Sequence, residues 1–251
     1  MPRFFISPEQ IKAGRVTITG PDVAHIVKVL RLGPGDTLTV LDGRGMVYEA
    51  VIEHADRESV ICAVMSESNA GRAPMLRITL VQGLPKNDKM DLIVQKATEL
   101  GVYRLIPLIC DRSVVRMAGD KPLHRLERWQ RIAREAAKQC RRPDVPEVLP
   151  PAGWEEALAG MPENTAAVIP WEEENQEPLK KVLGESRPRK NVYVFIGPEG
   201  GFTPAEVELA RSHGIRPVTL GPRILRTETA GLAVLAIILY QFGDLGGELD
   251  G

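Results

Sequence analysis

Val192-Tyr193-Val194-Phe195-Ile196-Gly197-Pro198-Glu199-Gly200-Gly201-Phe202 is the stretch from which the fold can be read. Its first five residues are β-branched or aromatic, as expected of a strand buried on both faces. The three glycines that follow permit backbone conformations and close approaches closed to other residues. Pro204 then opens a helix expected over 204–212. Leu220-Gly221-Pro222-Arg223-Ile224-Leu225-Arg226-Thr227-Glu228-Thr229 has the same form. It leaves a strand over 217–220 through glycine and enters a helix, with Thr227 the expected cap and Glu228 in the first turn. Two such passages imply an α/β domain with a mostly parallel sheet, in which ligands bind beyond the carboxyl ends of the strands. Neither loop is a dinucleotide fingerprint or a P-loop: the glycine spacing is wrong and no Lys-Ser/Thr follows.

Working outward, strands are expected over 77–82, 105–109 and 166–169, with a helix over 89–100 ended by Gly101. The helix over 229–242 is apolar nearly all round, so the domain or a partner subunit must cover it on more than one side. Upstream the pattern changes. Residues 15–19, 37–41, 47–53 and 59–64 read as short strands, separated by Gly-Pro and Asp-Gly turns and interrupted by one helical stretch over 22–30. That is a small β-barrel. The polar, small-residue stretch 66–74 has linker composition and places a boundary near Arg72, giving domains 1–72 and 73–251.

The 251 residues carry 32 Lys+Arg against 33 Asp+Glu and are 43% hydrophobic, which excludes a wholly disordered chain. No apolar run approaches the roughly 20 residues of a membrane helix, and the first residues carry no export signal. Cys62, Cys110 and Cys140 are too scattered for a disulfide framework or a zinc site, and the four histidines show no metal-ligand spacing. The expectation is a cytoplasmic protein without a metal and away from the membrane. The Glu172-Glu173-Glu174 run reads as an exposed loop.

Charge is balanced overall but not along the chain. Residues 73–150 hold 15 basic and 9 acidic side chains, a balance of +6, and residues 151–251 hold 9 and 15, a balance of -6. The basic excess is concentrated between Arg112 and Arg142 and includes Arg116. Most of that stretch reads as one helix, capped by Asp120 and stopped by Pro143. Leu126, Trp129, Ile132, Ala133, Ala136 and Cys140 share its apolar face. Arg128, Arg131, Arg134, Lys138, Arg141 and Arg142 lie opposite, a charge pattern suited to a phosphate backbone or to plain solvation. In the barrel, Arg3-Phe4-Phe5 and the run from His25 to Arg31, with Lys28, offer cations beside apolar groups.

Arg3-Phe4-Phe5, His25 with Val29-Leu30-Arg31, Lys86, Thr98 to Val102, Arg134-Glu135-Ala136 with Gln139 and Arg142, the Gly197–Gly201 loop and Leu220 to Ala230 together carry a resemblance. On these residues the chain resembles the RsmE family of ribosomal small-subunit RNA methyltransferases, of the SPOUT superfamily. The resemblance implies a PUA-like β-barrel followed by a SPOUT domain with a deep trefoil knot, and a homodimer. It also implies methylation of uridine N3 in small-subunit (16S) ribosomal RNA, with S-adenosyl-L-methionine as donor. Carried onto this sequence, the cofactor would lie against Gly197, Pro198, Gly200, Gly201, Leu220, Gly221, Ile224, Leu225 and the loop after Ile169. Arg226 would stabilise the charge that develops on the uridine, with Glu199 or Glu228 as proton acceptor or as structural anchor. Arg3, Lys28, Arg31, Arg131, Arg134, Lys138, Arg141 and Arg142 would meet RNA of the ribosomal small subunit. Pro222 and Cys140 stand where the family pattern suggests variable and small residues. Two alternatives stay open: a catalytically inactive RNA-binding ribosome-assembly protein, and a methyltransferase of the same superfamily acting on transfer RNA or a ribose 2′-hydroxyl.

Overall fold

The strand run beginning at Asn191 forms the middle of an all-parallel sheet. The computed structural model describes residues 1–69, 76–113, 121–185 and 190–247, and divides into two units. The first comprises Met1–Ala73 with Ala137–Val145, the second Pro74–Ala136 with Pro146–Gly251. The expected linker at 70–74, with its boundary at Arg72, and Arg116 and Asp120 of the basic stretch lie outside the described residues.

In the first unit, β1 (Arg3–Phe5), β2 (Ile11–Lys12), β3 (Arg15–Thr19), β4 (Thr37–Leu41), β5 (Met46–Ala55) and β6 (Ser59–Asn69) form one sheet in the order β1-β4-β5-β6-β3-β2. Every pairing is antiparallel except β1 with β4. Strict alternation along β3 sends Val16 and Ile18 into a core with Leu38, Val40, Ile52, Val60 and Cys62. Two register shifts in β5, at Glu49/Ala50 and Ile52/His54, explain why its sequence lacks a clean two-faced pattern. Helix α1 (Pro21–Ala24) runs into a π-helical turn, His25–Val29, in place of one regular helix over 22–30. The wide turn, closed by the Leu30 N–H donating to the His25 carbonyl, buries Ile26 and leaves Lys28 and Arg31 exposed.

The second unit contains β7 (Arg77–Gly83), α2 (Lys89–Leu100), β8 (Arg104–Leu108), α3 (Lys121–Gln139), β9 (Glu147–Val148), α4 (Trp154–Ala159), β10 (Ala166–Pro170), α5 (Leu179–Glu185), β11 (Asn191–Ile196), α6 (Pro204–Ser212), β12 (Arg216–Val218) and α7 (Thr227–Phe242). The sheet order is β12-β10-β11-β7-β8-β9, with every pairing parallel. Helix α2 ends at Gly101, whose φ of 103° suits a residue without Cβ. On one sheet face Phe195 stacks on Trp154, rings 5.6 Å apart, among Val81, Ile106, Ile169 and Phe202. On the other, α7 packs against α2, β7 and β11, which is how the domain covers much of a helix with no polar face.

The short elements β1, β2, β9, α4 and α5 have too few residues for periodicity to reveal them. The strand expected over 217–220 stops at Val218; Thr219 bridges to Pro178 instead, and Thr219 and Leu220 line a crevice. Residues Ala137–Val145 group with the first unit. Ala137, at the end of α3, is buried with Phe5 and Leu41, and Val145 packs beside them.

Two of the three free thiols sit in these cores. Burial, with Glu53 adding to it, pushes the Cys62 thiol up to about 11; burial with Glu206 and Asp111 pushes Cys110 up to about 12. Cys140 is only half-buried. Brief alkylation of the native protein near pH ~8 should label Cys140 first, leaving Cys62 and Cys110 to react after unfolding. Peptide mapping reads the order, and rapid native labelling of Cys110 would contradict the packing described.

Candidate active site

The carboxyl ends of β10, β11 and β12 each release a loop, and the three loops line one crevice of about 560 Å³. That volume lies within the usual range for small-molecule sites. Gly197, Pro198, Gly200, Gly201, Leu220, Gly221, Ile224 and Leu225 all line it, as do Glu199 and Arg226. Ile169 does not: its side chain is fully buried in the core, and Pro170, Trp171 and Glu172 after it face the crevice instead. Ile224 is 88% exposed, an apolar side chain held open at the site.

The glycine loop is fixed by its neighbours. Gly201 has φ +67°, and its N–H donates to the Pro198 carbonyl at 2.9 Å, closing the turn. A Cβ there would come within 2.6 Å of a Glu172 carboxylate oxygen, and the positive φ would strain any side chain, so glycine suits the position. Arg112 Nη1 donates to the Gly200 carbonyl at 2.8 Å, placing this arginine of the basic stretch on the loop. Glu206 takes part in the Thr203 capping box of α6 and also accepts from the Asp111 N–H and Trp154 Nε1, at 3.0 Å each. The loop is therefore held at both ends.

Thr227 is not the cap of α7. The N-cap is Arg226, and the Thr227 side chain is buried. Its hydroxyl donates to the Gly197 carbonyl at 2.6 Å and accepts from Gln82 Nε2 at 2.9 Å. One hydroxyl thus ties the start of α7 to the end of β11 and to β7.

Charge at the crevice is organised around Lys89, at the first turn of α2. Its ammonium lies 3.1 Å from both Glu199 and Glu228, and Glu199 also accepts from the Lys86 N–H. Hydrogen bonds that Lys89 donates to Glu228, then to Glu199, raise its pKa. Burial pulls the Glu199 carboxyl up, but its own backbone N–H, Lys89 and the Lys86 N–H outweigh this and hold it below the ordinary value. The Glu228 carboxyl is likewise lowered, by its own N–H first and then, against some burial, by Lys89 and Arg226. Arg226 itself is exposed at the crevice.

The cations expected to meet RNA are not equivalent. Lys138 pairs with Asp22 at 3.1 Å and Arg142 with Asp144 at 2.6 Å. Arg128, from the same face of α3, pairs with Asp91. Arg3 is exposed and donates to the Arg141 carbonyl. Helix α3 stops at Gln139, so Arg141 and Arg142 lie past its end, Arg141 with φ 62°. Arg131 and Arg134 stay exposed on α3, with no ion pair among the described residues. Trp129, Ala133 and Ala136 are buried, as the periodicity requires.

Lys89, Arg112, Gln82 and Thr227's bridging role escape a reading of the sequence, because each acts on a partner far away in the chain. Glu172 stood only within an acidic run. Among the described residues, no group of three or more His, Cys, Asp or Glu could hold a metal ion, and no helix is long and apolar enough to cross a membrane.

Comparison with known proteins agrees with this architecture. Residues 72–239 match the RNA methyltransferase domain family, and residues 18–65 the RNA methyltransferase PUA domain. The ribosomal RNA small subunit methyltransferase E of Bacillus subtilis is 36% identical over 99% of this chain and all of its own length. The protein of the same name from Synechocystis is 37% identical over 94% of this chain and 76% of its own. The crystal structure of ribosomal RNA small subunit methyltransferase E from Neisseria gonorrhoeae bound to S-adenosyl methionine superposes with a TM-score of 0.85. It is 36% identical and covers 97% of this chain and 99% of its own. A Legionella pneumophila structure with bound cofactor SAM gives 0.80 at 29% identity, over 97% of this chain and 98% of its own. Because these matches run through both units, the chain belongs to the ribosomal RNA small subunit methyltransferase E family, an RNA methyltransferase domain joined to a PUA domain.

Proposed function

We propose that this protein methylates N3 of a uridine in small-subunit ribosomal RNA, with S-adenosylmethionine as donor, and that it acts in the cytoplasm as a homodimer. The observation that carries the reading is the convergence of three strand-end loops on one crevice with Arg226 beside it. The crevice suits the donor. Its floor is glycine and proline backbone, its walls include Trp171, Leu220, Ile224 and Leu225, and its volume suits a nucleoside-sized ligand. Backbone groups of Gly197, Gly201, Leu220 and Ile224 would hold the adenine and methionine portions. When bound, S-adenosylmethionine supplies an electrophilic methyl group on a sulfonium.

The chain's own part is alignment and charge stabilisation. As the N3 proton leaves a uridine, negative charge spreads to O2 and O4, and the Arg226 guanidinium, exposed at the crevice, would meet it. Glu199 and Glu228 are lowered carboxylates on Lys89, hence weak bases. Their better role is to clamp the glycine loop, α2 and α7 together. A trefoil knot of the kind implied by the resemblance would bring the chain from the edge strand β12 to α7, which packs against α2, β7 and β11. Free cysteines suit a reducing compartment. Leu92, Ile237 and Tyr240 remain exposed on α2 and α7, Tyr240 at 73%, a surface suited to a second copy.

Incubation with unmodified small-subunit RNA or subunits and S-adenosylmethionine, followed by nucleoside mass spectrometry, should yield N3-methyluridine; a 2′-O-methyl product would replace this reading. Arg226→Ala should keep calorimetric binding of the donor while transfer falls at least about tenfold, ~1.4 kcal/mol of barrier. Unchanged turnover removes Arg226 from the mechanism. Replacing Arg131 and Arg134 with alanine should lower the salt slope of RNA binding by roughly 1.4, at about 0.7 per phosphate contact; an unaltered slope means that these side chains are merely solvated. Sedimentation should show a dimer that Ile237→Glu with Tyr240→Glu converts to a monomer, and a monomeric parent protein would refute the assembly.

A further inference from the structure

The loop after β10 contains three glutamates that differ in their surroundings. Trp171 N–H donates to the Val218 carbonyl at 3.1 Å, and the Glu174 N–H donates back to the Trp171 carbonyl at 3.2 Å, so the turn is tied to β12 and closed on itself. Both Glu174 oxygens are engaged: one accepts from the Gln176 and Glu177 N–H groups, the other from Arg211. Glu172 lies between these anchors, lines the crevice, and has no hydrogen bond or ion pair among the described residues. Its carboxylate rests against Gly201, 2.6 and 2.8 Å from where a Cβ would stand. A rigid turn thus presents an unpaired carboxylate to the ligand, and the glycine opposite makes room for it. The crevice's other acidic lining residue, Glu199, is already committed to Lys86 and Lys89.

We infer that Glu172 is a cofactor-binding residue whose two oxygens accept hydrogen bonds from the vicinal ribose hydroxyls of the methyl donor. This rests on the donor proposed above. A carboxylate with two free oxygens matches two adjacent hydroxyl donors. The remaining charged end of such a donor, an amino acid, has its carboxylate drawn toward Arg223, which lines the crevice from the loop after β12. That leaves the nucleoside sugar for the β10 loop. In sequence, residues 172–174 read as a plain exposed loop. The structure separates them into one anchor, Glu174, and one ligand-facing group, Glu172.

The test is calorimetry on the full chain with S-adenosylhomocysteine, 5′-methylthioadenosine, which lacks the amino-acid end, and 2′-deoxy-5′-methylthioadenosine. Glu172→Ala and Glu172→Gln should weaken the first two ligands by a similar factor, about tenfold for the alanine variant. The deoxy ligand should bind the parent protein more weakly than its ribo counterpart and lose less on substitution. Glu173→Ala, at the exposed neighbour, should bind all three as the parent does, and thermal melting of each variant checks that the fold persists. Unchanged affinity in the Glu172 variants would overturn the inference. So would a loss confined to S-adenosylhomocysteine, which would assign the carboxylate to the ammonium instead. Failure of the parent protein to bind any of these ligands or S-adenosylmethionine would overturn the donor reading itself, and this inference with it.

Discussion

A single buried hydroxyl organises the second unit. Thr227 stands where the chain, having left the edge strand β12, returns beside β11 and β7 to begin α7. Its donation to the Gly197 carbonyl and acceptance from Gln82 satisfy groups that have little access to water. Removing such a group strands two polar atoms, a cost on the order of 1–3 kcal/mol. The consequence is geometric as well as energetic. Because α7 starts there, residues 219–226 must pass over the ends of the strands, and the crevice exists in the space they enclose.

Around that pin, charge is used sparingly and locally. Lys89 joins two carboxylates from distant parts of the chain, Glu199 from the glycine loop and Glu228 from the first turn of α7. Glu228 also lies where a helix N-terminus favours negative charge. Arg112 and Glu206 hold the other side of the glycine loop through backbone groups. The crevice is therefore preformed: its walls are fastened by ion pairs and hydrogen bonds among its own elements, and Arg226 and Glu172 stay exposed beside it. Preorganisation of this kind puts the ordering cost into folding, so that little is left for binding.

The basic helix shows how a charge pattern divides once it is folded. Ten cations between Arg112 and Arg142 look like one field in the sequence. In the structure Arg112 serves the glycine loop, while Arg128, Lys138 and Arg142 have acidic partners. Exposed Arg131 and Arg134 keep the charge of the face. Paired surface cations offer less to a phosphate than unpaired ones, since the partner's charge must first be displaced.

Local chemistry was legible in the chain. Runs such as 192–196 announce buried strands, Gly101 and Pro204 punctuate helices, and two glycine loops after strands mark where the crevice lies. Those signals depend on periodicity and on the allowed backbone angles of neighbouring residues, both properties of short segments. Thr227 marks the limit of that reading. Its position before an apolar run suits a cap, yet the hydroxyl serves Gly197 and Gln82, and Arg226 stands at the N-cap. Lys89, Glu172 and the grouping of Ala137 with Phe5 and Leu41 have the same character: each meaning lies in a partner tens of residues away. Sequence alone determined the α/β class, the β-rich N-terminal unit and the loops that build the crevice. Only the tertiary structure decided which charges are paired, which carboxylate faces the crevice without a partner among the described residues and where α7 is pinned, because hydrogen bonds and ion pairs act over a few ångströms of space whatever the distance along the chain.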